Sequence, residues 1–251
     1  MFSLKNIHWH IGCSGFYYKD WKEIFYPKGL AQTKWFAYYC ENFNTLELNA
    51  SFYRFPRVAD LKNWYQKSPS GFSFSVKAPR SITHYRRFIG TESMLSDFYK
   101  SIREGLQDKL GPVLFQFYRN VEYSPEFLSR LIDQVDPSFT NVLEFRHASW
   151  WQPEVYNILA KHRIIFSGIS HPQLPDQVII NNKTVYYRFH GVPRLYYSQY
   201  SPEFLSEVIT AIVADPLVKE AFLYFNNTAE ASAIRNAQFV QQQLAIKQKM
   251  D

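Results

Sequence analysis

Only two cysteines occur in 251 residues, Cys13 and Cys40, and they form no C-x-x-C pair. That excludes a disulfide-framed secreted fold and a cysteine-built zinc module. A reduced cytoplasmic compartment fits, with both thiols as core packing. No apolar run reaches the roughly 18 residues that a membrane-spanning helix needs. The start, MFSLKNIHWHIG, has neither an apolar signal core nor a small-residue cleavage site, so no export signal is expected. Also missing are a G-x-S-x-G elbow, an H-E-x-x-H pair and a Walker loop. The turn GCSG at residues 12–15 is not a dinucleotide fingerprint; at most it lets backbone N–H groups approach a ligand.

Apolar and aromatic residues are plentiful. The chain is 46% hydrophobic and 18% aromatic, which excludes disorder and supplies a sizeable core. Its net charge of +6 favours an anionic partner, but is too mild to establish nucleic-acid binding.

One rhythm runs through the chain. Strand patterns fall at residues 8–15, 45–51, 72–78, 112–117, 141–147, 163–170, 184–191 and 221–227. Helical patterns lie between them. Phe36, Tyr39, Cys40 and Phe43 share one helix face, as do Leu95, Phe98, Tyr99, Ile102 and Leu106. The hexamer SPEFLS occurs at 124–129 and again at 201–206, each copy offering Ser as N-cap and Pro at the first helical position. Common helix-start chemistry explains this better than duplication. The last helix is predicted to start near Thr228 and run into a polar tail, QQQLAIKQKMD.

Eight strands alternating with helices in about 250 residues match a (β/α)8 TIM-type barrel, regular or irregular, in the α/β class. An open doubly wound sheet is the competitor. Loop lengths favour the barrel: segments entering strands are short, and several leaving strands are long. Long exits belong to the C-terminal rim, where barrel enzymes carry their sites. One domain over residues 1–251 is expected.

Alternation then assigns strand faces. Leu143 and Phe145 oppose Glu144 and Arg146; Tyr187 and Phe189 oppose Arg188 and His190. With apolar faces towards the helices, the inward set is Glu47, Asn49, Lys77, Gln116, Glu144, Arg146, Arg188, His190 and Asn226. A buried ion network that only fixes the barrel is the bland alternative. Desolvating an ion pair costs several kcal/mol per ion, and an apolar core would be simpler, so the convergence reads as a site.

Two carboxylates face three cations, with Arg80 just beyond Lys77. The positive surplus suits a phosphate or carboxylate, held by bidentate arginines, better than a divalent metal. Lys77, Arg80, Arg146 and Arg188 are therefore expected to bind an anion, with Glu144 and His190 as the acid–base pair and Glu47 orienting them. No metal and no cofactor are expected; a metal on Glu47, Glu144 and His190 is the weaker alternative. His8 and His10 share a face of the first strand, and His10 reads as a core histidine. The rim segments GFYYKDW, FYRFPR, HYRRF, HASWW and PRLYYSQY interleave aromatic and basic residues, which could stack on bases or simply pack their own loops.

At this point the residues match a known pattern. GCSGF (12–16), LELNASFYRFP (46–56), FSFSVKAPRSITH (72–84), LGPVLFQF (110–117), LEFRHASW (143–150), YYRFHG (186–191) and YFNNTAEASAIRNAQ (224–238) resemble the YecE-like family, domain of unknown function 72. The resemblance spans nearly the whole chain and implies a (β/α)8-type barrel. It implies recurrent polar positions at Glu47, Asn49, Lys77, Arg80, His84, Gln116, Glu144, Arg146, His147, Arg188, His190, Asn226 and Asn227. The chain departs from the pattern at Cys13 and Ala50, and FSGIS in strand six lacks an expected acidic residue. The resemblance implies a fold and a site but no reaction. Three functional classes follow: an enzyme acting on an anionic, phosphate-bearing small molecule, a nucleic-acid-binding or processing protein, and a non-catalytic binding barrel. No membrane partner is expected, and the sequence leaves the oligomeric state open.

Overall fold

The structure is a computed structural model that describes residues 7–250. Residues 1–6, which open the segment read for an export signal, and Asp251, which ends the polar tail, lie outside it. In chain order the strands are β1 (His8–Ser14), β2 (Thr45–Leu48), β3 (Ser73–Lys77), β4 (Leu110–Gln116), β5 (Asn141–Glu144), β6 (Ile165–Phe166), β7 (Gly168–Ser170), β8 (Thr184–Phe189) and β9 (Glu220–Phe225). The helices are α1 (Trp35–Asn42), α2 (Ala50–Tyr53), α3 (Val58–Lys67), α4 (Glu92–Leu106), α5 (Pro125–Gln134), α6 (Pro153–Lys161), α7 (Pro202–Val213) and α8 (Ser232–Met250). The fold is α/β, of the expected (β/α)8 barrel type.

The chain divides into two compact units, one of Met1–Leu46 with Gly168–Asp251, the other Glu47–Ser167. In the first, β1, β9, β8 and β7 pair in that order and in parallel. His8 faces Glu220 at one end of the β1–β9 ladder, and Cys13 faces Phe225 at the other. Alternation sends Phe189 and Phe225 to the same side, where their rings stack 4.3 Å apart. Tyr39 ties α1 to the strands: its hydroxyl accepts from Cys13 N at 2.7 Å and donates to Thr45 O at 2.9 Å. Cys13 is fully buried, and burial pushes its thiol far up, as suits a packing cysteine. Trp21, also fully buried, donates from Nε1 to Thr228 O at 2.8 Å.

In the second unit β3, β4, β5 and β6 pair in order, again in parallel. Its core is aromatic: Phe145 stacks on Trp150 at 3.8 Å and on Phe117 at 5.2 Å. Trp150 Nε1 donates to Val121 O at 2.8 Å, so the indole anchors the loop after β5 while satisfying its one donor. Both SPEFLS copies start helices as expected. Ser124 Oγ accepts from Phe127 N at 3.1 Å, and Ser201 Oγ from Phe204 N at 3.2 Å.

Several boundaries differ from the sequence reading. The sixth strand is two strands, because the chain changes partner between Ser167, whose N–H bonds Leu143 O at 2.9 Å, and Gly168, which pairs with Tyr187. A Cβ on Gly168 would lie 2.6 Å from Tyr187 Cδ2, so only glycine lets the backbone come this close. The second strand stops at Leu48 and coils into α2. Ser51 is therefore not a strand-face residue; its hydroxyl donates to Leu48 O at 3.1 Å and Lys77 O at 2.6 Å. The segment after β3 is not a plain loop: Ser81–Arg86 is a π-helix, followed by left-handed Arg87 (φ 48°) and Phe88 (φ 60°). The last helix starts at Ser232 rather than near Thr228, because Glu230 at φ 53° breaks the turn before it.

Candidate functional site

Each unit carries its own polar cluster at the C-terminal ends of its strands. In the second unit Glu144 and Arg146 sit two residues apart and so project to one side. Arg146 Nε donates to Glu144 Oε1 at 2.6 Å, and the Glu144 side chain is wholly buried. The alternation argument thus holds past the end of β5: Leu143 and Phe145 fill the core, and the ionised pair occupies the opposite face. Glu47 on β2 is likewise fully buried.

Around this pair lies a set of cations and rings. Lys77 Nζ stands 4.0 Å from the Phe52 ring centre. The His84 ring meets Phe52 edge-on at 4.9 Å and Tyr118 at 5.8 Å. Arg80, exposed at the start of the π-helix, lies 5.6 Å from the Tyr53 ring and 5.4 Å from the Tyr85 ring. Tyr53 and Tyr85 are themselves 69% and 68% exposed, so this edge faces solvent. His84 Nδ1 is 2.8 Å from the Thr83 hydroxyl.

The electrostatics converge on His84. Burial, followed by the charges of Lys77, Arg146, Arg80 and Arg87, holds its pKa down at about 4. The imidazole is therefore neutral at pH 7. The buried carboxylates Glu47 and Glu144 belong to the same unit.

The remaining expected positions in this unit make local bonds. Gln116 Nε2 donates to Phe117 O at 2.7 Å. His147 caps the turn that follows it, with Nδ1 2.8 Å from Ser149 Oγ. Asn49 precedes α2, and its Oδ1 is buried without a hydrogen-bond partner.

In the first unit, Arg188 and His190 project together from the end of β8. Arg188 Nη1 lies 3.2 Å from His190 Nε2, and Nη2 3.3 Å from Ser14 Oγ. Asn226 Nδ2 lies 2.8 Å from His190 Nδ1. A guanidinium only donates, so Nε2 is the accepting nitrogen and Nδ1 carries the ring proton. The Asn226 amide, whose oxygen and nitrogen exchange by a half-turn, then accepts through its oxygen. Asn227 is structural in its contacts: Nδ2 donates to Ser198 O and to Asn236 Oδ1, both at 2.9 Å.

Two features escaped sequence reasoning. The loop after β7 carries a carboxylate, on the face of Tyr187 rather than that of Arg188 and His190. Asp176 accepts from Ser170 Oγ at 2.9 Å and from the Tyr187 hydroxyl at 2.6 Å, and burial raises its pKa despite those bonds. A lone Asp in an irregular loop carries no periodic signal. The other is the first-strand pair: His10 Nε2 is 3.0 Å from Glu220 Oε1, a meeting only strand register could reveal. Elsewhere a 660 Å³ cleft beside α4 and α5, bordered by Tyr99, Arg103 and Phe139, holds none of the expected site residues. Among the described residues no helix is long and apolar enough to cross a membrane.

Known proteins resemble this chain in sequence or in fold. The YunF protein of Bacillus subtilis (strain 168), a UPF0759 protein, is 30% identical over 200 residues, covering 72% of this chain and 70% of that one. The crystal structure of a DUF72 family protein from Thermotoga maritima MSB8 superposes with a TM-score of 0.85 at 29% identity, over 95% of this chain and 99% of the other. A DUF72 family protein from Enterococcus faecalis V583 reaches a TM-score of 0.80 at 18% identity over 94% and 95%, a likeness of fold alone. The family described as "Protein of unknown function DUF72" matches residues 10–251, and the chain belongs to it, as the YecE-like motifs implied.

Proposed function

We propose that the second unit's cluster binds an anionic, phosphate-bearing small molecule and that the protein is an enzyme acting on it. Lys77, Arg80 and Arg146 are the anion ligands of this reading, and Glu144 is its acid–base group. Glu47, buried on β2, is an orienting carboxylate. His190 is a second acid–base candidate, and Arg188 a further cation, in the first unit. Gln116, Asn49, His84, His147, Asn226 and Asn227 complete the polar set. The observation that carries the reading is the cation cluster: Lys77 against the Phe52 ring, Arg80 beside the rings of Tyr53 and Tyr85, and Arg146 on Glu144, whose charges reinforce burial in holding the His84 pKa down. An anion there neutralises the field and is gripped by guanidinium forks. The reaction needs no metal at this cluster and no cofactor. The same reading takes residues 1–251 as one working domain in the cytoplasm.

Titration of the protein with inorganic phosphate and with sulfate, followed by calorimetry, tests it. Saturable binding that weakens in Arg146→Gln and Lys77→Gln is expected; binding indifferent to both substitutions refutes it. A second reading has its own observation, the Arg80 guanidinium lying between the exposed rings of Tyr53 and Tyr85. That arrangement also suits stacking on nucleobases. Single-stranded oligonucleotide binding that falls steeply with salt, and fails in Tyr53→Ala, would favour it over the small molecule.

A further inference from the structure

The N-terminal ends of β1 and β9 hold a second set of chemistry-bearing residues that the proposed function does not use. His8 and His10 stand at i and i+2 on β1, on one face, and Glu220 pairs with His8 across the β1–β9 ladder. One ligand atom from each of the three residues lies within 4.8 Å of those of the others. We propose that His8, His10 and Glu220 form a binding site for a divalent transition-metal ion, with Zn²⁺ the best fit.

The donor set points to that class of ion. Two imidazoles and one carboxylate suit zinc and its first-row neighbours, whereas Mg²⁺ and Ca²⁺ want oxygen ligands throughout. The geometry is nearly formed. A tetrahedral ion with ligands at about 2.0–2.1 Å holds neighbouring ligand atoms roughly 3.3 Å apart. His10 Nε2 and Glu220 Oε1 already stand 3.0 Å apart, so a few tenths of an ångström admits an ion between them.

The supporting groups limit how far the ligands can move. His10 is 4% exposed and lies flat on Phe222, with ring centres 4.1 Å apart and planes 3° from parallel. Thr184 Oγ1 donates to the other Glu220 oxygen at 3.2 Å, the orienting contact that metal-binding carboxylates commonly have. The Glu220 carboxylate only accepts, so His10 Nε2 carries the ring proton in that contact; coordination through Nε2 transfers it to Nδ1, which is buried and has no hydrogen-bond partner. His8 is exposed, its ring centre 4.3 Å from that of His10. It gives the ion a route in and leaves a position for water. Lys219, beside Glu220, directs its ammonium to Pro216 O at 3.4 Å.

The site lies at the opposite end of β9 from Asn226, so it is not part of the Arg188–His190–Asn226 cluster. Bound there, the ion would fasten β1 to β9.

The test uses full-length protein free of any histidine tag and stripped with chelator. Titration with Zn²⁺ followed by calorimetry should show one equivalent per chain, and Co²⁺ should give the visible absorption of a four-coordinate ion with nitrogen ligands. His8→Ala removes an exposed ligand and leaves the core intact. It should weaken Zn²⁺ binding by on the order of 100-fold, at least the loss typical of disturbing a supporting residue. Glu220→Gln, with circular dichroism confirming the fold, should do the same. Absence of a saturable single equivalent overturns the proposal. So does one-equivalent binding that either substitution leaves unchanged, since other groups must then hold the ion.

Discussion

Replacing Lys77 by Gln should raise the pKa of His84, and the size of the change can be worked from the structure. Lys77 Nζ is 4.0 Å from the Phe52 ring centre, which is 4.9 Å from the His84 ring centre, so the two charges are at most about 9 Å apart. Coulomb's law at that distance gives roughly 0.5 kcal/mol in water and about 1.8 kcal/mol at an effective dielectric constant of 20. Removing the lysine should therefore move the midpoint up by about 0.3 to 1.3 pH units, from a starting value of about 4. The sign follows from charge: a neighbouring cation opposes the imidazolium, and its loss favours it. Following the His84 ring protons by NMR from pH 3 to 8 measures this, with His84→Ala to assign the signal. Saturating phosphate should raise the midpoint in the wild type by the same mechanism. A wild-type midpoint near the ordinary 6.5, or a midpoint that Lys77→Gln leaves in place, would refute the electrostatic argument and the anion site with it. Linkage adds a check. A histidine whose folded pKa is depressed stabilises the fold above its unfolded pKa of about 6.5, and that stability is lost as pH falls towards about 4.

Three further outcomes are expected. Tyr39→Phe strands the Cys13 N–H and the Thr45 carbonyl in a dry interior, at about 1–3 kcal/mol each. Thermal unfolding should fall by roughly 4–20 °C, and a change within 1 °C would show that both groups find other partners. Gly12→Ala places a Cβ 2.2 Å from Thr45 O and 2.9 Å from Tyr39 Oη, so soluble yield and melting temperature should both drop sharply. Normal folding of that variant would contradict the close approach of these backbones. Asp176 has a raised folded pKa, so its contribution is present at low pH and declines as pH rises above the unfolded carboxylate range. Asp176→Asn should gain stability relative to wild type between pH 4 and pH 7; a constant difference across that range would count against the burial argument.

The fold was legible because strand and helix periods alternate cleanly and because both SPEFLS hexamers carry their own cap. Two-residue alternation also placed the charged face of β5 and β8: Glu144 with Arg146, and Arg188 with His190, meet as expected. What escaped were features set by partners distant in sequence. Strand ends depend on where the neighbouring strand stops, so β2 and β5 were read three residues too long. Asp176 arrives on an irregular loop. Glu220 reaches His10 through a register 210 residues away in the chain. His84 and His147 were flagged as rim residues and by the family pattern, but their contacts could not be foreseen, since neither lies on a strand.

The π-helix of Ser81–Arg86 has a consequence for how this family could diversify. A π-turn carries one residue more than an α-turn, and such turns recur at functional sites. Deleting a single residue there would let the segment rewind as α-helix, and each residue of an α-helix advances by about 100°. The side chains between the deletion and Phe88 would be re-aimed at once. A one-residue indel between Arg80 and Arg87 is thus the smallest edit that re-aims the side chains around His84.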